Sequence, residues 1–233
     1  MNLPQLTSPE FVTEIPSTGK EIKYRPFLVK EEKILLMALE GGDDKEISRA
    51  IMNILSSCII DDVDLNSLAT FDIEYLFLKL RAKSVGEVIE LVLSHPKKDT
   101  ECDHKTEVHI NIDDIKVIGD ISDGKIQIND SIGLKLRYAG LKDIDDVNGT
   151  DTDQLYDVVV NCVEYIYDTE NVYDDFTKDE MSEWLGQLST SQFKKITDFF
   201  ENAPKLSHVV EWTCPKCGKK ERIVLEGLQS FFT

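Results

Sequence analysis

Cys214-Pro215-Lys216-Cys217-Gly218, near the C-terminus, is the stretch whose reading decides the fold. Two cysteines three apart with a glycine after the second form a zinc-knuckle turn. The tight reversal aims both sulfurs at one point, and Gly218 supplies the positive φ such a turn often needs. The knuckle provides two of four tetrahedral ligands, so the remaining donors must come from elsewhere in the chain.

The chain has five cysteines and four histidines. Cys58 sits in the apolar helical run Ile51, Met52, Ile54, Leu55, Ile59, and Cys162 lies in the apolar run from Val158 to Ile166. Both read as core, where free cysteine is common. Cys102 instead falls in the polar loop His95-Pro96-Lys97-Lys98-Asp99-Thr100-Glu101-Cys102-Asp103-His104, between two strand-like runs. The simplest site is Cys102, Cys214 and Cys217 with one histidine. His104 is favoured as the nearest, although a one-residue gap is tight for two ligands. His95 opens the same loop, gives a looser chelate and stands as the alternative, with His208 third. His109 alternates within a strand pattern and reads as a surface residue.

Three other readings compete. A degenerate ribbon could replace the metal with hydrogen bonds and packing. A Cys214–Cys217 disulfide needs an oxidising compartment, and nothing at the N-terminus, Met1-Asn2-Leu3-Pro4-Gln5-Leu6, reads as a secretory leader. A redox Cys-X-X-Cys normally opens a helix, whereas this one lies between Val209-Val210-Glu211-Trp212 and Arg222-Ile223-Val224-Leu225, two β-like segments.

Working outward, 233 residues can bury a substantial core as one large domain or two small ones. No stretch approaches the roughly 20 apolar residues that span a bilayer, so no membrane span and a reducing cytoplasmic setting are expected. The net charge of -18 argues against general nucleic-acid binding, which needs clustered Lys and Arg. Lys216, Lys219, Lys220 and Arg222 around the knuckle are the local exception, but they lack the interleaved aromatics that single strands stack on. An acidic surface suits solubility or a basic protein partner.

Periodicity divides the chain into five segments of one composite domain. Residues 1–28 read as an extended arm or hairpin, with strands over Phe11 to Ile15 and Glu21 to Tyr24. Residues 29–86 are helical. One helix is stopped by Gly41-Gly42, a second runs from about Asp44 to Ser57, and a third from about Thr70 to Lys83. Residues 87–150 are β-rich, with strands over Glu87 to Leu93 and Thr106 to Val117 and two more within Gly124 to Tyr138 around Asn129-Asp130, and carry the first half of the metal site. Residues 151–204 predict helices over Asp151 to Tyr167, Thr177 to Leu188 and Thr190 to Asn202; Thr177 with Glu180 is a capping box. Residues 205–233 form the cysteine hairpin and an apolar tail. The fold class is therefore α+β: helical segments combined with β-hairpins and a C-terminal zinc-ribbon-like hairpin. If Cys102 and Cys214 share a metal, the two ribbons meet and the second helical set becomes a closed loop. Four filled positions would make the zinc structural.

No phosphate loop, dinucleotide fingerprint, nucleophile elbow or His-Glu-X-X-His helix occurs. Pairs such as Asp145-Asp146 and Asp174-Asp175 are expected by chance among 44 acidic residues and read as solvated. The sequence therefore points to a protein that is not an enzyme.

Two segments carry a family resemblance. One runs from Pro16-Ser17-Thr18-Gly19-Lys20 through Tyr24-Arg25-Pro26-Phe27-Leu28-Val29-Lys30-Glu31-Glu32-Lys33 and continues in Phe71-Asp72-Ile73-Glu74-Tyr75-Leu76-Phe77-Leu78-Lys79-Leu80-Arg81-Ala82-Lys83-Ser84-Val85-Gly86-Glu87. The other joins the knuckle to Leu225-Glu226-Gly227-Leu228-Gln229-Ser230-Phe231-Phe232. Together they resemble the baseplate hub assembly proteins of T-even-like contractile-tailed phages. The resemblance spans most of the chain and is least distinctive in the middle. It implies a non-enzymatic role in building the baseplate hub, as an assembly chaperone first and a permanent hub subunit second. It also implies other hub or tail proteins as partners and action in the host cytoplasm during assembly. Retention in the virion and oligomeric state stay open. Tyr24, Arg25 and Phe27, and the tail residues Leu228, Phe231 and Phe232, are the candidate partner contacts, because aromatic and arginine residues are enriched at interface hot spots. Packing inside their own domain is the alternative for both groups.

Overall fold

A computed structural model describes residues 6–95, 102–145 and 151–231. Strands β1 (Phe11–Glu14) and β2 (Glu21–Tyr24) open the chain, followed by helices α1 (Val29–Gly41), α2 (Asp44–Cys58) and α3 (Thr70–Ser84). Next come β3 (Val88–Ser94), β4 (Lys105–Asn111), β5 (Lys116–Ile118), β6 (Lys125–Gln127) and β7 (Gly133–Leu136). Helices α4 (Leu141–Asp145) and α5 (Asp151–Cys162), strands β8 (Val163–Tyr167) and β9 (Val172–Tyr173), and helices α6 (Lys178–Leu185) and α7 (Thr190–Glu201) follow. The chain closes with β10 (Lys205–Thr213), β11 (Lys220–Glu226) and a 3-10 turn at Leu228–Phe231. Helices combined with small antiparallel sheets make this an α+β protein.

The chain divides into two compact units. The first gathers Met1–Val63, Phe71–Ile118 and Lys205–Thr233; the second comprises Asp64–Thr70 and Gly119–Pro204. In the first unit, β1 pairs with β2, β3 with β4, and β10 lies between β11 and β5, all antiparallel. Its core is centred on α3, which buries Phe71, Ile73, Leu76, Phe77, Leu78, Leu80 and Ala82 around most of its circumference. Full burial of a side chain such as Phe77 contributes about 1.5–3 kcal/mol. The buried Asp72 on the same helix accepts a hydrogen bond from the Ser17 amide at 2.8 Å.

Local chemistry sets the helix ends. Gly42 takes φ +67° and its N–H donates to the Ala38 carbonyl, ending α1. Asp43 then caps α2 by accepting from the Lys45 and Glu46 amides at 2.8 and 3.3 Å. Glu31 accepts from the Leu28 amide at 2.7 Å; because leucine has no acceptor, only this half of a capping box forms.

The strand expected over Thr106 to Val117 is broken in the structure. Asn111 accepts from the Asp113 amide and starts a 3-10 turn at Ile112–Asp114. After the turn, β5 leaves β3 and β4 and pairs with β10, with Val117 opposite Leu206 and Ile118 opposite Lys205. Residues 119–204 therefore leave and return through neighbouring strands. Gly119 is required where they do so: its φ is +124°, and a Cβ there would lie 3.0 Å from Pro204 Cα.

In the second unit, the sheet order is β6-β7-β8-β9, and Ile128, Leu134, Leu136, Val159, Met181, Leu185, Ile196 and Phe199 form the core. The helix expected over Asp151 to Tyr167 ends at Cys162. Val163-Glu164-Tyr165-Ile166-Tyr167 becomes β8 because a β-branched and aromatic run finds a partner in β7. The freed Cys162 carbonyl accepts from the Arg137 amide at 3.0 Å. The Thr177–Glu180 capping box expected for α6 is present, and Ser189 with Gln192 forms a second one on α7. Among the described residues, no helix is long and apolar enough to cross a membrane.

Candidate metal centre

The β10–β11 hairpin positions the knuckle. Its seven paired positions run from Ser207 opposite Glu226 to Thr213 opposite Lys220. At the tip, the Cys214 amide donates to the Lys219 carbonyl and the Gly218 amide donates to the Cys214 carbonyl, each at 2.9 Å. Gly218 takes φ +73° with open space where a Cβ would stand. Glycine is favoured there by its dihedral freedom, not by crowding.

The β3–β4 hairpin brings the other donors. Ser94 pairs with Lys105, so His95 and Cys102 both sit beyond the paired ends of the two strands. Single donor atoms of His95, Cys102, Cys214 and Cys217 all lie within 4.8 Å of one another. Cys102 Sγ is 3.9 Å from Cys214 Sγ, and Cys217 Sγ is 3.4 Å from His95 Nε2. A tetrahedral zinc with bonds of about 2.3 Å to sulfur and about 2.0–2.1 Å to nitrogen needs ligand separations of about 3.8 Å (S to S) and about 3.6 Å (S to N). The observed spacings match these. The Cys102–Cys214 separation is far too long for a disulfide, whose S–S bond is about 2.05 Å, and all five cysteines are free thiols.

The donor set is also prepared electrostatically. His95 is buried, and its Nδ1 lies 2.8 Å from Glu221 Oε1. This carboxylate–histidine pair turns Nε2 towards the thiols, the arrangement that orients metal-bound histidine. Lys219 Nζ reaches the same Glu221 oxygen at 3.1 Å. Burial opposes ionisation of the Cys214 thiol, but hydrogen bonds from the Cys217 and Lys216 amides and from His95 bring its pKa down to about 6. Cys217 is pushed up: a Lys219 backbone hydrogen bond lowers it, but burial and the neighbouring Cys214 and Cys102 sulfurs outweigh that. Crowded thiols resist ionising together unless a cation neutralises them. Lys216 Nζ pairs with Asp103 Oδ1 at 2.6 Å, an exposed link between the two hairpins that solvent screens.

Of the residues singled out in the sequence, Cys102, Cys214 and Cys217 come together, with His95 as the histidine beside them. His104, favoured for its nearness in sequence, is not among the four grouped donors. His208 is turned towards the Asp114 carbonyl, 3.3 Å away. His109 is exposed between Glu90 and Glu107. Cys58 and Cys162 are fully buried, with thiols pushed up to about 11 and about 12, largely by burial. Sequence reasoning missed Glu221. Its only signal was a carboxylate one residue from the paired end of the knuckle hairpin.

Four of the six candidate partner contacts are buried in the first unit. Tyr24, Phe27, Leu228 and Phe231 are all less than a tenth exposed. Arg25 donates to the carbonyls of Pro26 and Ser57 and to Glu31. Burying large apolar side chains outweighs leaving them free on an arm or tail. Phe232 lies outside the described residues.

Comparison with known proteins covers most of the chain. It is 25% identical over 225 residues to the baseplate hub assembly protein gp26 of Enterobacteria phage T4, covering 96% of this chain and 98% of that protein. No solved structure matches it. The family model described as T4 bacteriophage base plate protein matches residues 8–233, and the chain belongs to that family.

Proposed function

We propose that this protein is a non-enzymatic assembly factor for the baseplate hub, working through contacts with other tail proteins in the host cytoplasm, and that it holds one structural zinc ion. The observation that carries the first part is end-to-end similarity to a hub assembly protein, covering 96% of this chain and 98% of the relative. The observation that carries the second part is the meeting of His95, Cys102, Cys214 and Cys217 at separations that suit tetrahedral zinc.

Three thiolates and one imidazole fill the four positions of a structural site and leave none for water or substrate. Such an ion would join the β3–β4 and β10–β11 hairpins and so steady the first unit. Zinc binding in small peptides is worth about 10–16 kcal/mol, and part of that is large against a domain stability of about 5–15 kcal/mol.

Infection by a phage in which this gene is silenced tests the assembly role. The expected result is tail parts without completed hubs, with the protein absent or substoichiometric in purified wild-type virions by mass spectrometry. One copy per hub position in virions would overturn the assembly-factor reading in favour of a permanent subunit.

A further inference from the structure

The second unit contains a cavity of about 450 Å³, within the about 300–1,000 Å³ range of ligand-binding clefts. Its floor is the buried pair Met181 and Ile166, and its walls include Phe176, Trp184 and Tyr173. At the mouth stand three carboxylates, Asp168, Asp175 and Glu180, and among the described lining residues there is no Lys, Arg or His. The cavity opens beside β9, an edge strand whose Val172 and Tyr173 are 62% and 49% exposed.

Two of the carboxylates are fixed in place. Asp168 Oδ1 accepts from the Glu170 and Asn171 amides at 2.8 and 2.7 Å, and Oδ2 accepts from the Tyr173 hydroxyl at 2.8 Å. Glu180 Oε2 accepts from the amide and hydroxyl of Thr177, both at 2.8 Å. These hydrogen bonds hold both acids below the ordinary carboxylate range, so both are charged at neutral pH. Tyr173 is likewise oriented at the mouth by its bond to Asp168. The result is a preformed apolar hollow with aromatic walls and an anionic rim.

We propose that this cavity grips an apolar–basic segment of a partner polypeptide: an aliphatic or aromatic side chain over Met181 and Ile166, with a neighbouring Arg or Lys against the rings and carboxylates. The proposal rests on the reading of this protein as one that works by holding other polypeptides. Charge complementarity selects the occupant. A cation over an aromatic face and beside carboxylates gains from both. A wholly apolar segment would desolvate the rim without a counter-charge. Nucleic acid is repelled, and a second copy of this chain brings its own net charge of -18.

The test uses the intact, ¹⁵N-labelled protein and two probes, acetyl-Leu-Arg-Leu-amide and acetyl-Leu-Glu-Leu-amide. The chain has two tryptophans, so their indole N–H signals report separately on the cavity (Trp184) and on β10 (Trp212). The arginine peptide should shift the Trp184 signal saturably, leave Trp212 unmoved, and bind more weakly as salt is raised. The glutamate peptide should bind at least roughly tenfold more weakly, and Asp175→Lys should lower arginine-peptide affinity by a similar factor while Trp212 reports an intact fold. An unmoved Trp184 signal, equal response to both peptides, or a Trp184 signal that changes with protein concentration alone would overturn the proposal. Failure here with hub assembly still dependent on the gene removes the cavity proposal and leaves the assembly role. Normal assembly in the silenced infection removes that role without altering the titration.

Discussion

Cys102 Sγ lies 3.9 Å from Cys214 Sγ, although the two residues are 112 positions apart. Between them run β4, β5 and all of residues 119–204, which return to the first unit as β10 beside β5. Closing a loop of this length is costly in chain entropy, and the cost grows only slowly with further length. A metal bound only by the folded chain would therefore offset part of the cost of closing this loop.

Protein purified without chelator should carry about one zinc per chain, measured by elemental analysis. Serine at Cys102, Cys214 or Cys217, or alanine at His95, should release the metal and lower stability by several kcal/mol, a part of the about 10–16 kcal/mol seen in peptides. His104→Ala and Cys58→Ala should keep it. Zinc lost from His104→Ala but kept by His95→Ala would reverse the choice of histidine.

Glu221→Gln tests the carboxylate behind His95. Its weaker hold on Nδ1 should cut zinc affinity by about 10–100-fold without unfolding the protein. Competition against a chromophoric chelator reads this directly, and unchanged affinity would mean that Glu221 serves only Lys219.

In the second unit, Arg137 Nη1 and Nη2 donate to Asp143 Oδ2 and Oδ1 at 2.6 and 2.8 Å. Burial pushes the Asp143 carboxyl up, but the Arg137 guanidinium and the Gly140 amide outweigh it and hold the folded pKa below the ordinary value. The resulting stability is fully present above the unfolded pKa and is lost as pH falls through the folded one, so the window lies below about pH 4. Asp143→Asn should flatten that part of the stability–pH curve in urea titrations. Arg137→Ala should cost about 1–3 kcal/mol at neutral pH; the figure is kept low because the arginine side chain is 34% exposed.

Two glycines separate crowding from dihedral strain. Gly124 (φ +72°) has the Leu136 carbonyl oxygen where a Cβ would go, whereas Gly42 (φ +67°) has nothing within 4 Å. Gly42→Ala should cost about 1–2 kcal/mol from the left-handed backbone alone. Gly124→Ala should cost about 2–5 kcal/mol, because backbone must move as well. Equal costs by thermal unfolding would show that β7 can shift aside.

Local features were legible in the sequence because their chemistry is local. Gly42 at the end of α1, the apolar stripe of α2, the Thr177–Glu180 box and the Cys214–Cys217 turn each depend on a few neighbouring residues. The Ser189–Gln192 box was readable by the same rule. The β8 strand was not, because Val163 to Tyr167 continues an apolar helical run and only its pairing with β7 makes it a strand. Tyr24 and Phe27 read equally well as contacts or as core; only packing separates the two.

By itself the sequence determined an acidic α+β chain, with a cysteine turn able to supply half of a metal site, because composition, period and turn chemistry are properties of short segments. The tertiary structure alone decided which histidine joins the thiols, that Glu221 stands behind it, and that an acid-rimmed hollow opens beside β9. Those outcomes depend on side chains brought together from positions more than 100 residues apart, or on strands that pair only once the chain has folded, and spacing along the sequence carries neither.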